Sequence, residues 1–77
     1  MTQELHPSHP DIDPEMWKRI DTIVSAGSGL PGSVIAVLRE CQDVAGYLPV
    51  ELIDYIAVGL NLSRSEVFGV ASFYALF

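Results

Sequence analysis

The sequence predicts an all-α fold, a small bundle of about four short helices behind a flexible N-terminal tail. Three observations predict it. Apolar residues recur at spacings of three and four in separate segments, the periodicity that lines one face of a helix. Helix-starting and helix-stopping residues stand at the ends of those segments. No stretch alternates apolar and polar residues long enough for a half-buried strand.

Residues 1–12 carry His6, Pro7, His9 and Pro10 with few large apolar groups. Burial there cannot offset the entropy of ordering, so a mobile tail is expected, with the bundle spanning 13–77. Asp13, Pro14 and Glu15 read as a helix start: an N-cap acid, Pro at the first position, then a first-turn acid. Met16, Ile20, Ile23 and Val24 follow at helical spacing, and Gly27-Ser28-Gly29 ends the helix. Pro31 or Ser33 opens a second helix with Val34, Leu38, Cys41 and Ala45 on one face, flanked by Ile35, Val37 and Val44. Gly46 suits the left-handed position after it.

Tyr47-Leu48-Pro49 turns the chain into a third helix, whose stripe is Leu52, Ile53, Ile56, Ala57 and Leu60, broken at Asn61-Leu62. Ser63-Arg64-Ser65-Glu66 is a capping box, in which the serine and the glutamate each accept the other's backbone N–H. The fourth helix sets Val67, Val70, Ala71 and Tyr74 on one face and Phe73 and Phe77 on another.

A chain of 77 residues makes one small domain at most. It has one cysteine, so no internal disulfide, and no four-ligand metal set is expected. The lone thiol suits a reducing, cytoplasmic setting. The formal net charge is −6 with only four Lys and Arg, which excludes the basic footprint of a nucleic-acid binder. The final apolar run is too short for a membrane span, and the N-terminus lacks the basic and apolar regions of a signal peptide. No direct membrane insertion is expected.

Several constellations resemble chemistry. Gly27-Ser28-Gly29-Leu30-Pro31-Gly32 spells G-x-G-x-x-G, with Asp54 downstream. A dinucleotide site needs a strand before the first glycine, and the residues there have helical spacing, so the run reads as a loop. His6 and His9 resemble a ligand pair, but two ligands on a tail hold a metal weakly. Asp11-Ile12-Asp13 fails as a calcium loop because Met16 stands where glycine is required. Cys41 lies on an apolar stripe with no base near it and reads as inert packing. Glu51 and Asp54 complement the dipole of the third helix rather than forming a catalytic pair. No catalytic, cofactor-binding or metal residue is assigned.

The aromatics remain. After Glu66 the chain has no charged side chain, and Phe68, Phe73, Tyr74 and Phe77 fall in that run. A helix apolar on most of its circumference is buried on most of it, which a bundle of this size cannot provide alone. Part of the last helix is therefore expected to face another domain or subunit, and the chain is expected to be the front of a longer protein. Tyr47, Phe68, Phe73, Tyr74 and Phe77 are the expected docking residues, and self-association through them is expected of the isolated chain. Phe73, if buried, should cost about 3 kcal/mol on truncation to alanine.

Gly46-Tyr47-Leu48-Pro49, then Leu60-Asn61-Leu62-Ser63, then Glu66-Val67-Phe68-Gly69-Val70-Ala71-Ser72-Phe73-Tyr74-Ala75-Leu76-Phe77 form a series that resembles a known family. It is similar to the small thioredoxin-like [2Fe–2S] subunit of NADH-oxidising complexes, over about residues 30 to 77. That family includes the subunit-E type protein of respiratory complex I and related subunits of NAD(P)-linked hydrogenases and formate dehydrogenases. The resemblance implies an N-terminal helical bundle followed by a thioredoxin-like domain, absent here, whose four cysteines hold one [2Fe–2S] cluster. It implies as partners the flavin- and NADH-binding subunit and the missing C-terminal domain. It places the whole in the cytoplasm, peripheral to the inner membrane where the complex is. The function so implied is that of a docking domain in an electron-transfer subunit of an NAD(P)H-linked oxidoreductase. The alternative is a stand-alone helical adaptor with no redox role. Nothing in the residues supports a self-contained enzyme.

Overall fold

The computed structural model describes residues 6–7, 9–30 and 32–75, with side chains through Phe73. Within them lie four helices, α1 (Pro14–Gly27), α2 (Val34–Ala45), α3 (Val50–Leu60) and α4 (Arg64–Ala75). No strand occurs among the described residues.

The termini of the helices follow from their residues. Asp13 has extended backbone, and its Oδ1 accepts the Met16 N–H at 2.8 Å, with Pro14 at the position that needs no donor. At the other end of α1, a β-carbon on Gly27 would stand 2.5 Å from Val37 Cγ2. The missing side chain lets α2 press against the end of α1. Ser33 Oγ donates to the Gly27 carbonyl at 2.8 Å and satisfies a helix-end acceptor. Gly29 and Gly32 take φ of 83° and 76°, the left-handed region that glycine enters without strain. The glycine run is a corner between two helices.

Ser33 has helical backbone and makes no side-chain cap, and Pro31 lies outside the described residues. Gly46 closes α2 with φ 92°, its N–H donating to Gln42 O at 2.7 Å. α3 ends in a Schellman motif: Asn61 is left-handed, Leu62 N–H donates to Ala57 O at 2.9 Å, and Asn61 N–H to Val58 O at 3.1 Å. The capping box of α4 is formed in both directions, Glu66 N–H to Ser63 Oγ at 3.1 Å and Ser63 N–H to Glu66 Oε1 at 3.2 Å.

α2 and α3 sit in the middle, α1 packs on both, and α4 packs on both from the other side. Ile20, Leu38, Cys41, Leu52, Ile56 and Val67 have no exposed surface, so each helix contributes to one core. Burying an aliphatic side chain of this size stabilises by about 1.5–3 kcal/mol. In α3 the stripe read from spacing is the set that is buried. In α1 the buried face is Trp17, Ile20, Val24 and Gly27, while Met16 and Ile23 are half-buried. The face is turned by about one residue toward the indole, which has the most apolar area to hide.

The segment before α1 has contacts in its described part. Ile12 is 4% exposed and belongs to the core, and its N–H donates to His9 O at 3.2 Å.

Candidate functional site

Two surface regions gather the side chains with chemistry. The first lies where the α2–α3 turn meets α4. Tyr47, Leu48, Val50, Ile53, Phe68 and Ala71 line a cavity of about 410 Å³. The sharp turn at Gly46 and the restart at Pro49 bring Tyr47 to the rim, and the capping box fixes the start of α4 so that Phe68 forms the far wall. The Arg64 guanidinium lies 5.5 Å above the Phe68 ring. Tyr47 is 42% exposed, and its hydroxyl donates to Asp11 Oδ2 at 2.6 Å, with His9 Nε2 3.3 Å away. The hydrogen bond to Asp11, ahead of its charge, raises the tyrosine pKa above the usual range.

Of the five aromatics read as docking residues, the structure brings Tyr47 and Phe68 to one cavity. Phe73 is 64% exposed and does not line it. The condition for a large packing loss at Phe73 therefore does not hold. Phe73→Ala is expected to change stability by less than about 0.5 kcal/mol in a urea titration, and a loss near 3 kcal/mol would mean that the ring packs. The Tyr74 side chain and Phe77 lie outside the described residues.

The second region lies between α1 and α3. His6 stacks on Trp17 with ring centroids 5.1 Å apart and planes 8° from parallel, and Tyr55 meets Trp17 edge-on at 5.0 Å. His6 Nε2 is 2.8 Å from Asp21 Oδ2, and the Tyr55 hydroxyl donates to Asp21 Oδ1. Burial first, then that hydrogen bond, raises the tyrosine pKa. Spacing along the chain gave no sign of this cluster, because Tyr55 and Asp21 are 34 residues apart. The two histidines thus have separate partners: His6 faces Asp21, and His9 lies between Tyr47 and Glu51, whose Oε1 is 3.9 Å away. Asp54 pairs with Arg64 rather than with Glu51. No group of three or more His, Cys, Asp or Glu converges among the described residues. Among the same residues no helix is long and apolar enough to cross a membrane.

Cys41 is fully buried on α2. Burial, then the neighbouring Glu40 charge, pushes the thiol up to about 12. The folded chain holds this proton more tightly than the unfolded chain. Its contribution to stability is whole below about pH 9 and is lost as the pH climbs toward 12. At neutral pH the thiol is expected to resist iodoacetamide until denaturant opens the fold. Rapid labelling of the folded chain would place it at the surface.

The model of the thioredoxin-like [2Fe-2S] ferredoxin family matches residues 20–77. Among curated proteins the chain is similar to the NADP-reducing hydrogenase subunit HndA of Solidesulfovibrio fructosivorans, 28% identical over 71 residues. That match takes in 92% of this chain and 42% of the relative, so the chain spans less than half the relative's length. No solved structure matches the chain. A [2Fe–2S] cluster takes four thiolates or their equivalents. The single cysteine here is buried in the core and holds its proton firmly, so these residues do not fit the cluster. The family match covers three of the four helices in full and the second half of α1. The chain belongs to the thioredoxin-like [2Fe-2S] ferredoxin family, as the N-terminal helical domain of that subunit type.

Proposed function

We propose that this chain is the docking domain of an iron–sulfur electron-transfer subunit in an NAD(P)H-linked oxidoreductase of the complex I, hydrogenase or formate dehydrogenase kind. In this reading it seats the subunit on the partner that binds flavin and NADH, in the cytoplasm. The cluster belongs to a thioredoxin-like domain outside these residues. Family membership and the relative's description as a subunit of an NADP-reducing hydrogenase support the electron-transfer role. The observation that carries the docking role is the aromatic and aliphatic surface around the α2–α4 cavity. Tyr47, Val50 and Phe73 are exposed there or on the adjoining helix, and Phe68 lines the cavity. Exposed aromatic anchors beside an apolar cavity are what a protein interface uses.

The test is sedimentation velocity of the chain mixed with the flavin- and NADH-binding subunit from the same source. A one-to-one complex is expected, weakened by Tyr47→Ala, Phe68→Ala and Phe73→Ala in chains that remain folded by circular dichroism. Two folded proteins that sediment independently would refute the docking role. The chain run alone at rising concentration reports whether the same surface drives self-association.

A further inference from the structure

Tyr47 stands outside the helices, on the turn between α2 and α3, and lines the α2–α4 cavity. The side chains beside it in the chain, those of Gly46 and Leu48, have no polar atom for its hydroxyl. The carboxylate that the hydroxyl meets is 36 residues away, in the segment before α1. That segment is itself held. Residues His9, Pro10, Asp11 and Ile12 form a β-turn closed by the Ile12 N–H donating to His9 O at 3.2 Å, with Pro10 where its fixed φ suits the turn. Ile12 anchors one end in the core, and Asp13 beside it caps α1.

Three hydrogen bonds close a ring between this turn and Tyr47, and their donors follow from one another. The Asp11 N–H donates to His9 Nδ1 at 3.1 Å, so Nδ1 carries no proton. The Tyr47 hydroxyl donates its one hydrogen to Asp11 Oδ2 at 2.6 Å, the charge-assisted bond of the three. The 3.3 Å contact between the hydroxyl oxygen and His9 Nε2 then has the imidazole N–H as its donor. His9 is therefore the neutral tautomer protonated at Nε2. Glu51 Oε1, 3.9 Å from Nε2, is beyond hydrogen-bond reach and does not compete for that proton. The His9 and Tyr47 rings also meet edge-on, with centroids 6.0 Å apart. Each member of the ring donates once and accepts once, so the bonds polarise one another. The ring of bonds takes the hydroxyl and leaves the aromatic face free, since neither His9 nor Asp11 lines the cavity.

We propose that the His9–Ile12 turn is a latch that sets the orientation of Tyr47 at the cavity, with His9 and Asp11 as positioning residues for docking. The docking half rests on the reading of that surface proposed above; the fixing of the tyrosine does not. Held in one rotamer before the partner arrives, the side chain has less freedom to lose on binding, and the affinity gains accordingly.

Two measurements test the two halves. The first needs no partner. By NMR, the Hα–Hβ couplings of Tyr47 are expected to report a single χ1 rotamer, and His9 to show a protonated Nε2 and a bare Nδ1 in mildly alkaline solution. Asp11→Ala and Tyr47→Phe each remove one side of the hydrogen bond at an exposed position, and in each the couplings at position 47 are expected to average over rotamers. Averaged couplings in the parent chain, unchanged couplings in either variant, or a proton on Nδ1 would overturn the latch. The second is calorimetric titration against the flavin- and NADH-binding subunit. Asp11→Ala and Tyr47→Phe are each expected to weaken binding about threefold to tenfold, and the double variant no further than either alone. Glu40→Gln makes the same charge change as Asp11→Ala at an exposed position on α2, and less than about a twofold effect is expected of it. Unchanged or tighter binding by Asp11→Ala, losses that add in the double variant, or an equal loss from Glu40→Gln would overturn the positioning role. A parent chain with the expected couplings that does not bind the subunit at all would overturn the docking reading and the positioning role together, with the latch upheld by the couplings.

Discussion

Trp17→Ala is expected to leave the chain without a stable fold. Truncating a buried tryptophan costs about 3–5 kcal/mol, and a core of this size supplies roughly 3–5 kcal/mol in all. Trp17 is 4% exposed, and its ring is covered by His6 and by the edge of Tyr55. Removing it takes away the surface on which the segment before α1 rests, as well as the core contact itself. Trp17→Phe keeps the apolar body and should retain a cooperative transition. The measurement is thermal unfolding by circular dichroism. A shift of about 4–8 °C accompanies each kcal/mol in a small domain, so an alanine variant melting within a few degrees of the parent would show the indole to be peripheral.

Gly59→Val should destabilise by about 2 kcal/mol, against the usual expectation for a glycine inside a helix. Replacing such a glycine ordinarily stabilises, because glycine has the most backbone freedom to lose. Position 59 is solvent-facing by surface area, so a propensity table would recommend the change. The structure says otherwise: a β-carbon at 59 would collide with Val24 Cγ1 of α1. Val24 is buried and β-branched, so its χ1 has nowhere favourable to turn within a helix. Overpacking of this kind costs about 1–3 kcal/mol and exceeds the few tenths gained from propensity. Introducing Gly59→Val into a Val24→Ala background should recover most of the loss, and the non-additivity in a double-mutant cycle measures the clash. A higher melting temperature for the single variant would show that α1 and α3 do not approach at this point.

Legibility in the sequence divided along physical lines. Signals that act within a few residues were readable: the Asp13 cap, the Ser63/Glu66 box, the left-handed Gly46 and the α3 stripe all depend on neighbours in the chain. Signals that depend on which helices meet were not. The α1 stripe read from spacing centred on Met16 rather than Trp17, because the two differ by one position and only the packed partner decides between them. Ile12 looked like part of a polar stretch, since nothing local says that a lone isoleucine will find the core. Around the α2–α4 cavity the sequence does not say which of the aromatics share one surface. Tyr47 and Phe68 line one cavity because a turn and a cap place them there, while Phe73 is not in its lining. The Asp21, Tyr55 and His6 cluster was invisible, since periodicity carries no information about pairs so far apart.

The anchoring of Ile12 and His6 also sets where this unit may be cut or grafted. The family match begins at residue 20, the middle of α1. A domain excised at that boundary would lose the Asp13 cap, half a helix and the indole, and would carry a raw apolar edge into solvent. Grafting the bundle onto another protein, or exchanging it between relatives, therefore requires the segment from His6 to Ile12 to travel with it. A tag joined directly to Pro14 would displace a piece of the hydrophobic core.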